Sequence, residues 1–193
     1  MARPREFDPD DAIERAMNVF WQHGYDGASL ADLLAGMGLT RGSLYKAFKD
    51  KHSLFLRVLK RYEQGAVAQA VEFLSAEDIP DGTARIEAMF GGIVDTVVSG
   101  DKRGCLLCSA AAGPSSYDED IAAAVKTGLQ QMHGGFSTAL AASDIPTSQH
   151  ATLADLLVTQ YVGLRIMSRS VDQLDILTRS AEAITQLLRH PKH

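Results

Sequence analysis

Hydroxyl and cationic side chains follow one another closely between Thr40 and Lys46, a pattern suited to hydrogen bonding with nucleic acids. Arg41 can donate two parallel hydrogen bonds to a guanine edge, and Ser43, Tyr45 and Lys46 can contact phosphates or bases. A solvated charged surface is the alternative, because that is the usual place of such residues. Their clustering after a tight turn favours phosphate and base contacts, made from the exposed side of a short helix.

That short helix is predicted from its own ends. Thr40 is placed as its N-cap, and Leu39 stands at the spacing from Leu44 that is typical of a hydrophobic staple. Leu44 and Phe48, four residues apart, then face inward and leave Arg41, Gly42, Ser43 and Lys46 outward.

Two further amphipathic segments precede it. The first begins at Asp8 and Pro9, a capping residue followed by a proline at the first helical position, and Gly24 is its predicted stop. The second begins at Ser29, with Asp32 completing an approximate capping box, and ends near Gly38. The apolar positions of the two segments are Ile13, Ala16, Met17, Phe20, Leu30, Leu33 and Leu34.

This stretch resembles the N-terminal domain of the TetR family of bacterial transcriptional regulators over residues 8–62. The resemblance is carried by Phe20, Gly24, Tyr25, Ser29, Leu33, Gly38, Leu39, Thr40, Arg41, Gly42, Ser43, Leu44, Tyr45, Phe48, Lys51 and Leu54. It implies that residues 40–48 form a recognition helix and that Lys51 starts the next helix against a phosphate. The expected DNA-binding residues are Ser29, Thr40, Arg41, Gly42, Ser43, Tyr45, Lys46 and Lys51.

The charge is unevenly distributed along the 193 residues. Residues 1–62 carry ten Lys and Arg against eight Asp and Glu, or +2, whereas the remainder carries nine against sixteen, or −7. An overall charge of −5 argues against a nonspecific nucleic-acid coat. Arg3 and Arg5 could form a loose arm on the DNA or make no contact. No targeting segment or eighteen-residue apolar run occurs, so a cytoplasmic protein without a membrane partner is expected.

The periodicity predicts an all-α fold of about nine helices. Together with the resemblance, this implies a helix-turn-helix domain over 1–50, a connecting helix over 51–74, and a ligand-binding and dimerisation domain over 75–193. Later helix starts are predicted at Thr83, at a capping box of Ser116 with Glu119, at Thr147, and at a second box of Ser170 with Gln173.

A homodimer is expected because one recognition helix contacts too few base pairs to find one genomic site. The resemblance implies the same, since TetR-like proteins pair through their last two helices and bind palindromic operators. A self-contained monomer core is the alternative. The predicted dimerisation residues are Leu153, Leu157, Leu164, Leu174, Leu177, Ala181, Ile184 and Leu188.

Regulation by an unidentified small molecule is implied by the resemblance, with a pocket among the middle helices controlling the separation of the recognition helices. The expected lining residues are Phe73, Met89, Phe90, Ile93, Cys108, Met132, Phe136 and Tyr161. Each could instead be ordinary core, because Met and aromatic residues at helical spacing usually fill space.

Cys105 and Cys108 permit a second hypothesis, in which an oxidant or electrophile attacks a thiolate. Cys105 is predicted near a helix N-terminus, where the helix dipole lowers a thiol pKa. Two buried, inert thiols are the simpler interpretation.

An enzyme is not expected, because the sequence has no nucleophile-base motif, phosphate-binding glycine loop or metal-ligand spacing, and no cofactor is predicted. A helical interaction module that does not bind DNA is the remaining alternative. Sequence-specific repression, released by a small molecule, is the favoured function.

Overall fold

The computed structural model describes residues 7–169 and 174–189, and all regular secondary structure in this part of the chain is helical. Lys51–Tyr62, Glu63–Val67 and Ala68–Leu74 follow one another without a break, and we treat them as one helix, α4. The described residues then form nine helices, as predicted: α1 (Pro9–Gly27), α2 (Leu30–Met37), α3 (Arg41–Phe48), α4, α5 (Gly82–Val98), α6 (Leu106–Ala112), α7 (Glu119–Ala141), α8 (Thr147–Met167) and α9 (Leu174–Arg189).

The predicted caps of the first three helices are present. The Asp8 carboxylate accepts the Asp10 N–H at 2.9 Å, and Thr40 Oγ1 accepts the Ser43 N–H at 3.2 Å. Ser29 and Asp32 form a reciprocal capping box, in which each side chain accepts the other's backbone N–H. These bonds satisfy amide donors that a helix start leaves without intrahelical partners.

Two predicted helix starts were wrong. Asp81, not Thr83, is the N-cap of α5, and Asp118, not Ser116 with Glu119, is the N-cap of α7. In both cases a carboxylate nearer the helix start accepts the free amide groups, and Ser116 lies in a 3₁₀ turn instead. Gly24 interrupts α1 with a φ of 70° and a ψ of 171°, so the regular helix stops there as predicted, and one more helical turn follows to Gly27.

Aromatic packing joins the first three helices to the start of α4. The Phe55 ring lies 4.7 Å from the Phe20 ring and 4.7 Å from the Tyr25 ring, measured between centroids. Leu33 and Leu44 are buried beside them, as the apolar pattern predicted. The small N-terminal domain therefore has its own core, which fixes the direction of α3.

The remaining helices form a second core around α7. This helix packs against α8, α5 and the C-terminal half of α4, and α9 packs along α5. The α4 helix belongs to both cores, and a π-helical turn at Glu63–Val67 lies where it passes from one to the other. Any movement of α4 relative to α7 must therefore move the N-terminal domain.

The helices of the described residues are too short or too polar to cross a membrane. The proposed arm residues Arg3 and Arg5 and the predicted box of Ser170 with Gln173 lie outside the described residues.

Candidate nucleic-acid interface

The turn between α2 and α3 is built by one glycine and one threonine. Gly38 ends α2 in the left-handed conformation, with φ 67° and ψ 32°, which favours a residue without a β-carbon. The Thr40 hydroxyl then accepts the Ser43 N–H and lies 2.9 Å from Ser43 Oγ. The two hydroxyls hold the start of α3 in a fixed direction after a tight turn.

One side of α3 is buried and the other is exposed. Leu44 and Phe48 have at most 1% of their surface accessible, and the Arg57 guanidinium covers the Phe48 ring at 5.5 Å. The exposed face consists of Arg41, Gly42, Tyr45 and Lys46, with Ser43 half-buried beside them. Five of the eight residues predicted to contact DNA thus lie together on one side of α3.

That surface is positively charged. From Leu33 to Lys49 the sequence contains Arg41, Lys46 and Lys49 and no Asp or Glu. The dipole of α3 adds partial positive charge at its N-terminus, where Arg41 and Gly42 lie. The recognition surface therefore suits a polyanion, although the whole chain is acidic.

The connection from α3 to α4 is strained. Lys49 has φ 70° and ψ −57°, and the Asp50 N–H donates to the Phe48 carbonyl at 2.8 Å, which closes a γ-turn of the rare positive-φ form. The Asp50 carboxylate then caps α4 by accepting the Ser53 N–H at 2.7 Å. Together, these features place Lys51 at the first position of α4.

Lys51 is held against an aromatic ring. Its ammonium lies 4.7 Å from the centroid of Tyr25, and burial lowers its pKa from the ordinary lysine value, while the charge of Asp26 opposes that shift. Lys51 is therefore oriented before any ligand binds.

Ser29, another predicted DNA-binding residue, lies at the start of α2, where its hydroxyl donates to the Asp32 carboxylate.

Polar contacts connect the N-terminal domain to the second core. Asp26 Oδ2 accepts the Ser115 N–H at 3.2 Å, and His52 Nε2 lies 3.1 Å from Asp118 Oδ1 and 4.0 Å from Asp120 Oδ2. The three side chains of His52, Asp118 and Asp120 are close enough to share a cation. Sequence spacing could not reveal this group, because 66 residues separate His52 from Asp118.

Comparison with known proteins agrees with this geometry. Residues 12–58 match the profile of bacterial regulatory proteins of the tetR family. The HTH-type transcriptional repressor ComR of Escherichia coli (strain K12) is 31% identical over 191 residues, covering 96% of this chain and 90% of ComR. The repressor BdcR of the same strain is 30% identical over 194 residues, covering 96% and 93%. The chain belongs to the TetR family.

Structural similarity extends along the chain as well. The TetR family regulator CifR, solved as a cysteine mutant complexed with 26-base-pair operator DNA, superposes with a TM-score of 0.82 and 29% identity, covering 95% of this chain and 98% of CifR. The function class predicted from the sequence, a DNA-binding transcriptional regulator, is thereby confirmed at the level of the family.

Trp21 packs between the two cores of this TetR-family chain. Its ring meets Tyr62 edge-on at 5.3 Å, and the Arg103 guanidinium lies 4.4 Å from its centroid. Arg169 donates to the backbone carbonyls of Trp21 and Arg103. These contacts add to the polar ones and couple α1 to the second core.

The predicted effector residues divide into two groups. A cavity of about 380 Å³ between α4, α5 and α8 brings together Phe73, Met89, Ile93 and Tyr161. The other four predicted lining residues are buried in the core and do not line this cavity: Phe90, Cys108, Met132 and Phe136. Arg165, Tyr62 and Thr96 line it and were not predicted.

The predicted dimerisation residues lie mainly inside the protomer. Five of them are almost completely buried within the single chain: Leu157, Leu164, Leu177, Ile184 and Leu188. Leu153 is nearly as buried, Ala181 is half-buried, and Leu174 is exposed. The heptad spacing on α9 therefore corresponds largely to its contact with α5 in the same chain.

A second stripe on α9 faces outward. It consists of Ile176, Ser180, Ala183 and Leu187, at steps of four, three and four residues, and all but half-buried Ser180 are exposed. The α8 helix carries a similar stripe of Thr152, Leu156, Thr159 and Gly163. We call these eight positions the outer stripes.

Proposed function

We propose that this protein is a transcriptional repressor that binds a palindromic operator as a homodimer and leaves it when a small molecule binds. One observation carries the proposal: the exposed face of α3 presents Arg41, Ser43, Tyr45 and Lys46 without a neighbouring acid on that helix. A major groove admits a helix of this kind, and an arginine at its start can read a guanine. Binding to chromosomal DNA would place the protein in the cytoplasm.

The division into parts follows the proposal. Residues 1–50 would read the operator, 51–74 would transmit movement, and 75–193 would bind the effector and the second protomer. Ser29, Thr40, Gly42 and Lys51 would support the reading residues by contacts to the DNA backbone. Arg41 is the residue proposed to distinguish bases.

A second protomer would supply the second recognition helix. The outer stripes are the proposed pairing surface, because Leu156, Ile176 and Leu187 expose 38–41% of their surface on the last two helices. Exposed apolar positions at alternating steps of three and four residues suit helix pairing in a bundle. The inward residues Leu177 and Ile184 would support that surface from within.

Effector control would act through α4. An effector bound beside Tyr62 and Phe73 would favour one position of α4 over another, and only such a difference in affinity can shift the equilibrium. Because α4 begins at Lys51 and its first turn contacts α7 through His52 and Asp118, tilting it would change the separation of the recognition helices in a dimer.

A selection experiment tests the DNA-binding proposal. Duplexes that bind the purified full chain would be enriched from a random pool and then titrated by mobility shift between 50 and 200 mM salt. We expect a palindromic consensus and a steep loss of affinity with salt, because phosphate contacts release counterions (about 10³–10⁵-fold for six to ten contacts). Binding without sequence preference or salt dependence would instead support the interaction module.

A second candidate function is a repressor controlled by oxidants or electrophiles. Cys105 and Cys108 expose at most 1% of their surface, so a reagent would reach Cys105 only when the start of α6 opens. Cys105 stands at the N-cap of α6. A hydrogen bond with Cys108, and after it one with Tyr62, hold the pKa of Cys105 below the ordinary cysteine value, although burial opposes this. The same contact and burial raise the pKa of Cys108. A thiolate at Cys105 would be the nucleophile.

The reaction with a quinone would be an addition. The Cys105 sulfur would form a bond to a ring carbon, and the ring would take up the electron pair and the proton, giving a hydroquinone thioether that retains all atoms of both reactants. Treatment with benzoquinone should release the wild-type protein from its operator and leave a mass shift on Cys105. Release that persists in Cys105→Ser but not in Cys108→Ser would contradict this assignment.

A further inference from the structure

The cavity beside α4 has a size suited to a small organic molecule. Its volume of about 380 Å³ lies in the range of known ligand sites, which is roughly 300–1,000 Å³. Three helices supply its walls: Phe73 comes from α4, Met89 and Ile93 come from α5, and Arg165 comes from the more distant α8. The walls thus combine apolar side chains with polar ones, and they include one permanent positive charge.

Arg165 lacks an acidic partner among residues 7–169 and 174–189. No ion pair joins it to a carboxylate there, and its buried Nε atom has no hydrogen-bond acceptor. The hydrogen bond from Arg103 and, to a smaller extent, the charge of Arg165 lower the pKa of Asp101. That carboxylate is already paired, because Arg103 donates to it at 2.7 Å. A buried guanidinium with unused donors is costly unless an anion or several acceptors complete it.

The neighbours of Arg165 that line the cavity with it supply no negative charge near neutral pH. Burial raises the pKa values of Tyr62 and Tyr161 well above the ordinary tyrosine value, so both hydroxyls are neutral near pH 7. The Arg165 guanidinium lies 5.9 Å from the Tyr161 ring centroid, which is a cation–π contact. Cys105, the remaining acidic neighbour, does not line the cavity.

The cavity has a polar end and an apolar end. The chain turns back between Leu74 and Gly82, so α4 and α5 form a hairpin in which Phe73 and Ala88 lie near the loop. Tyr62 and Thr96 lie farther from that loop, and Tyr62 is a neighbour of Arg165 in the lining of the cavity.

We propose that this cavity binds an amphipathic organic monoanion, a carboxylate with a compact apolar or aromatic body. The carboxylate would accept hydrogen bonds from Arg165 and Tyr62, and the body would pack against Phe73 and Met89. An arginine fork matches two carboxylate oxygens, whereas a neutral amide supplies only one good acceptor. This inference rests on the proposed function, because it names the chemical class of the effector.

The position of the cavity explains how such an anion would act on DNA binding. Tyr62 and Ala66 both line it. Tyr62 directly precedes the π-helical turn Glu63–Val67 of α4, and Ala66 belongs to that turn. Widened turns of this kind are frequent at functional sites. An anion bound to Arg165 would contact α4 at this irregular turn, which begins twelve residues after Lys51.

Three probes of the same shape test the charge requirement. The full-length protein would be titrated at pH 7 by calorimetry with 2-naphthoate, 2-naphthamide and 2-naphthylmethylamine. We expect naphthoate to bind at least tenfold more tightly than the amide and the amine. Equal binding of the three probes, or absence of naphthoate binding up to 10 mM, would overturn the proposal.

Variants locate the site. Arg165→Met should weaken naphthoate binding at least tenfold, and Met89→Trp should block it by filling the apolar end while leaving Arg165 in place. Lys126→Met, which removes an exposed cation on α7, is the matched control and should bind naphthoate like the wild type. Unchanged binding by the Met89→Trp variant would overturn the proposed location, and this holds even if Arg165→Met fails to fold.

The operator assay separates this inference from the proposed function. If naphthoate binds at Arg165 but does not release the selected operator, the anion site stands and effector-controlled repression fails. If the protein binds no operator, the three-probe comparison still decides the anion site. Naphthoate release of operator from the wild type but not from Met89→Trp would support both.

Discussion

His52 Nε2 lies 3.1 Å from Asp118 Oδ1, and this contact connects the first turn of α4 to the N-cap of α7. The same carboxylate oxygen accepts the N–H groups of Asp120 and Ile121. One side chain therefore caps a core helix and contacts the helix that carries the DNA-reading domain. Its loss should affect the stability of α7 and the attachment of α4 together.

Removing the charge of Asp118 should make the protein less stable near neutral pH. The Ile121 N–H and, after it, the His52 side chain hold the pKa of Asp118 below its usual range. A carboxylate with a lowered folded-state pKa stabilises the protein above its unfolded pKa of about 4, and this contribution is lost as pH falls through the folded value. Asp118→Asn should therefore lower the melting temperature at pH 7 and have a shrinking effect below pH 4.

The asparagine introduced by Asp118→Asn would still be able to cap α7, because asparagine is a good N-cap residue. The substitution thus isolates charge, whereas Asp118→Ala removes charge and cap and should be more destabilising at every pH. A difference between wild type and Asp118→Asn that stayed constant from pH 3 to pH 7 would contradict the titration argument.

Replacing Lys49 with glycine should stabilise the protein. Lys49 has a φ of 70°, a conformation that costs a residue with a β-carbon roughly 1–3 kcal/mol and costs glycine little. We expect a net gain of the order of 1 kcal/mol, after allowance for the greater freedom of glycine in the unfolded chain. Thermal unfolding of the apo protein is the measurement.

Lys46→Gly provides the matched control for this substitution. Lys46 is exposed inside α3 with helical geometry, so glycine there should destabilise by about 1 kcal/mol. If both glycine variants lowered the melting temperature by the same amount, the γ-turn at Lys49 would not be strained.

Local capping was predictable from the sequence where the capping side chain and the backbone N–H that donates to it lie within three residues. Thr40 with Ser43 and Ser29 with Asp32 are such cases. Capping failed as a guide at Thr83 and Ser116, since Asp81 and Asp118 compete for the same helix starts and the sequence alone does not decide between neighbouring caps.

Contacts between distant segments were less predictable. Arg165 resembles any helical arginine in the sequence, and only the fold, in which α4, α5 and α8 line one cavity, reveals its place. Similarly, the heptad positions Leu177 and Ile184 predicted an apolar contact correctly but could not show that the partner is α5 of the same chain. Periodicity identifies a buried face without identifying what covers it.

Charges placed on the outer stripes should separate the protomers without unfolding them. Leu187 is 41% exposed in the single chain, so Leu187→Glu should give folded monomers by sedimentation velocity. Ile176→Glu should behave in the same way. Both variants should bind a palindromic operator much more weakly, because each monomer carries one recognition helix.

Leu177→Glu is the contrasting variant. Leu177 has no accessible surface, and a carboxylate there would be buried without a partner, so this change should lower stability by several kcal/mol. A Leu187→Glu protein that remained dimeric at micromolar concentration would show that the pairing surface lies elsewhere.

The most direct test of the account compares operator selection by the wild type with selection by Arg41→Ala and Lys51→Ala. If α3 reads the major groove, Arg41→Ala should lose preference at one base pair in each half-site, at a cost of about 1–3 kcal/mol, whereas Lys51→Ala should weaken all sequences alike and reduce the salt slope by about one. Lys126→Ala, on α7, should match the wild type. An Arg41→Ala protein that selected the same consensus with the same discrimination would contradict the assignment of α3 as the reading helix.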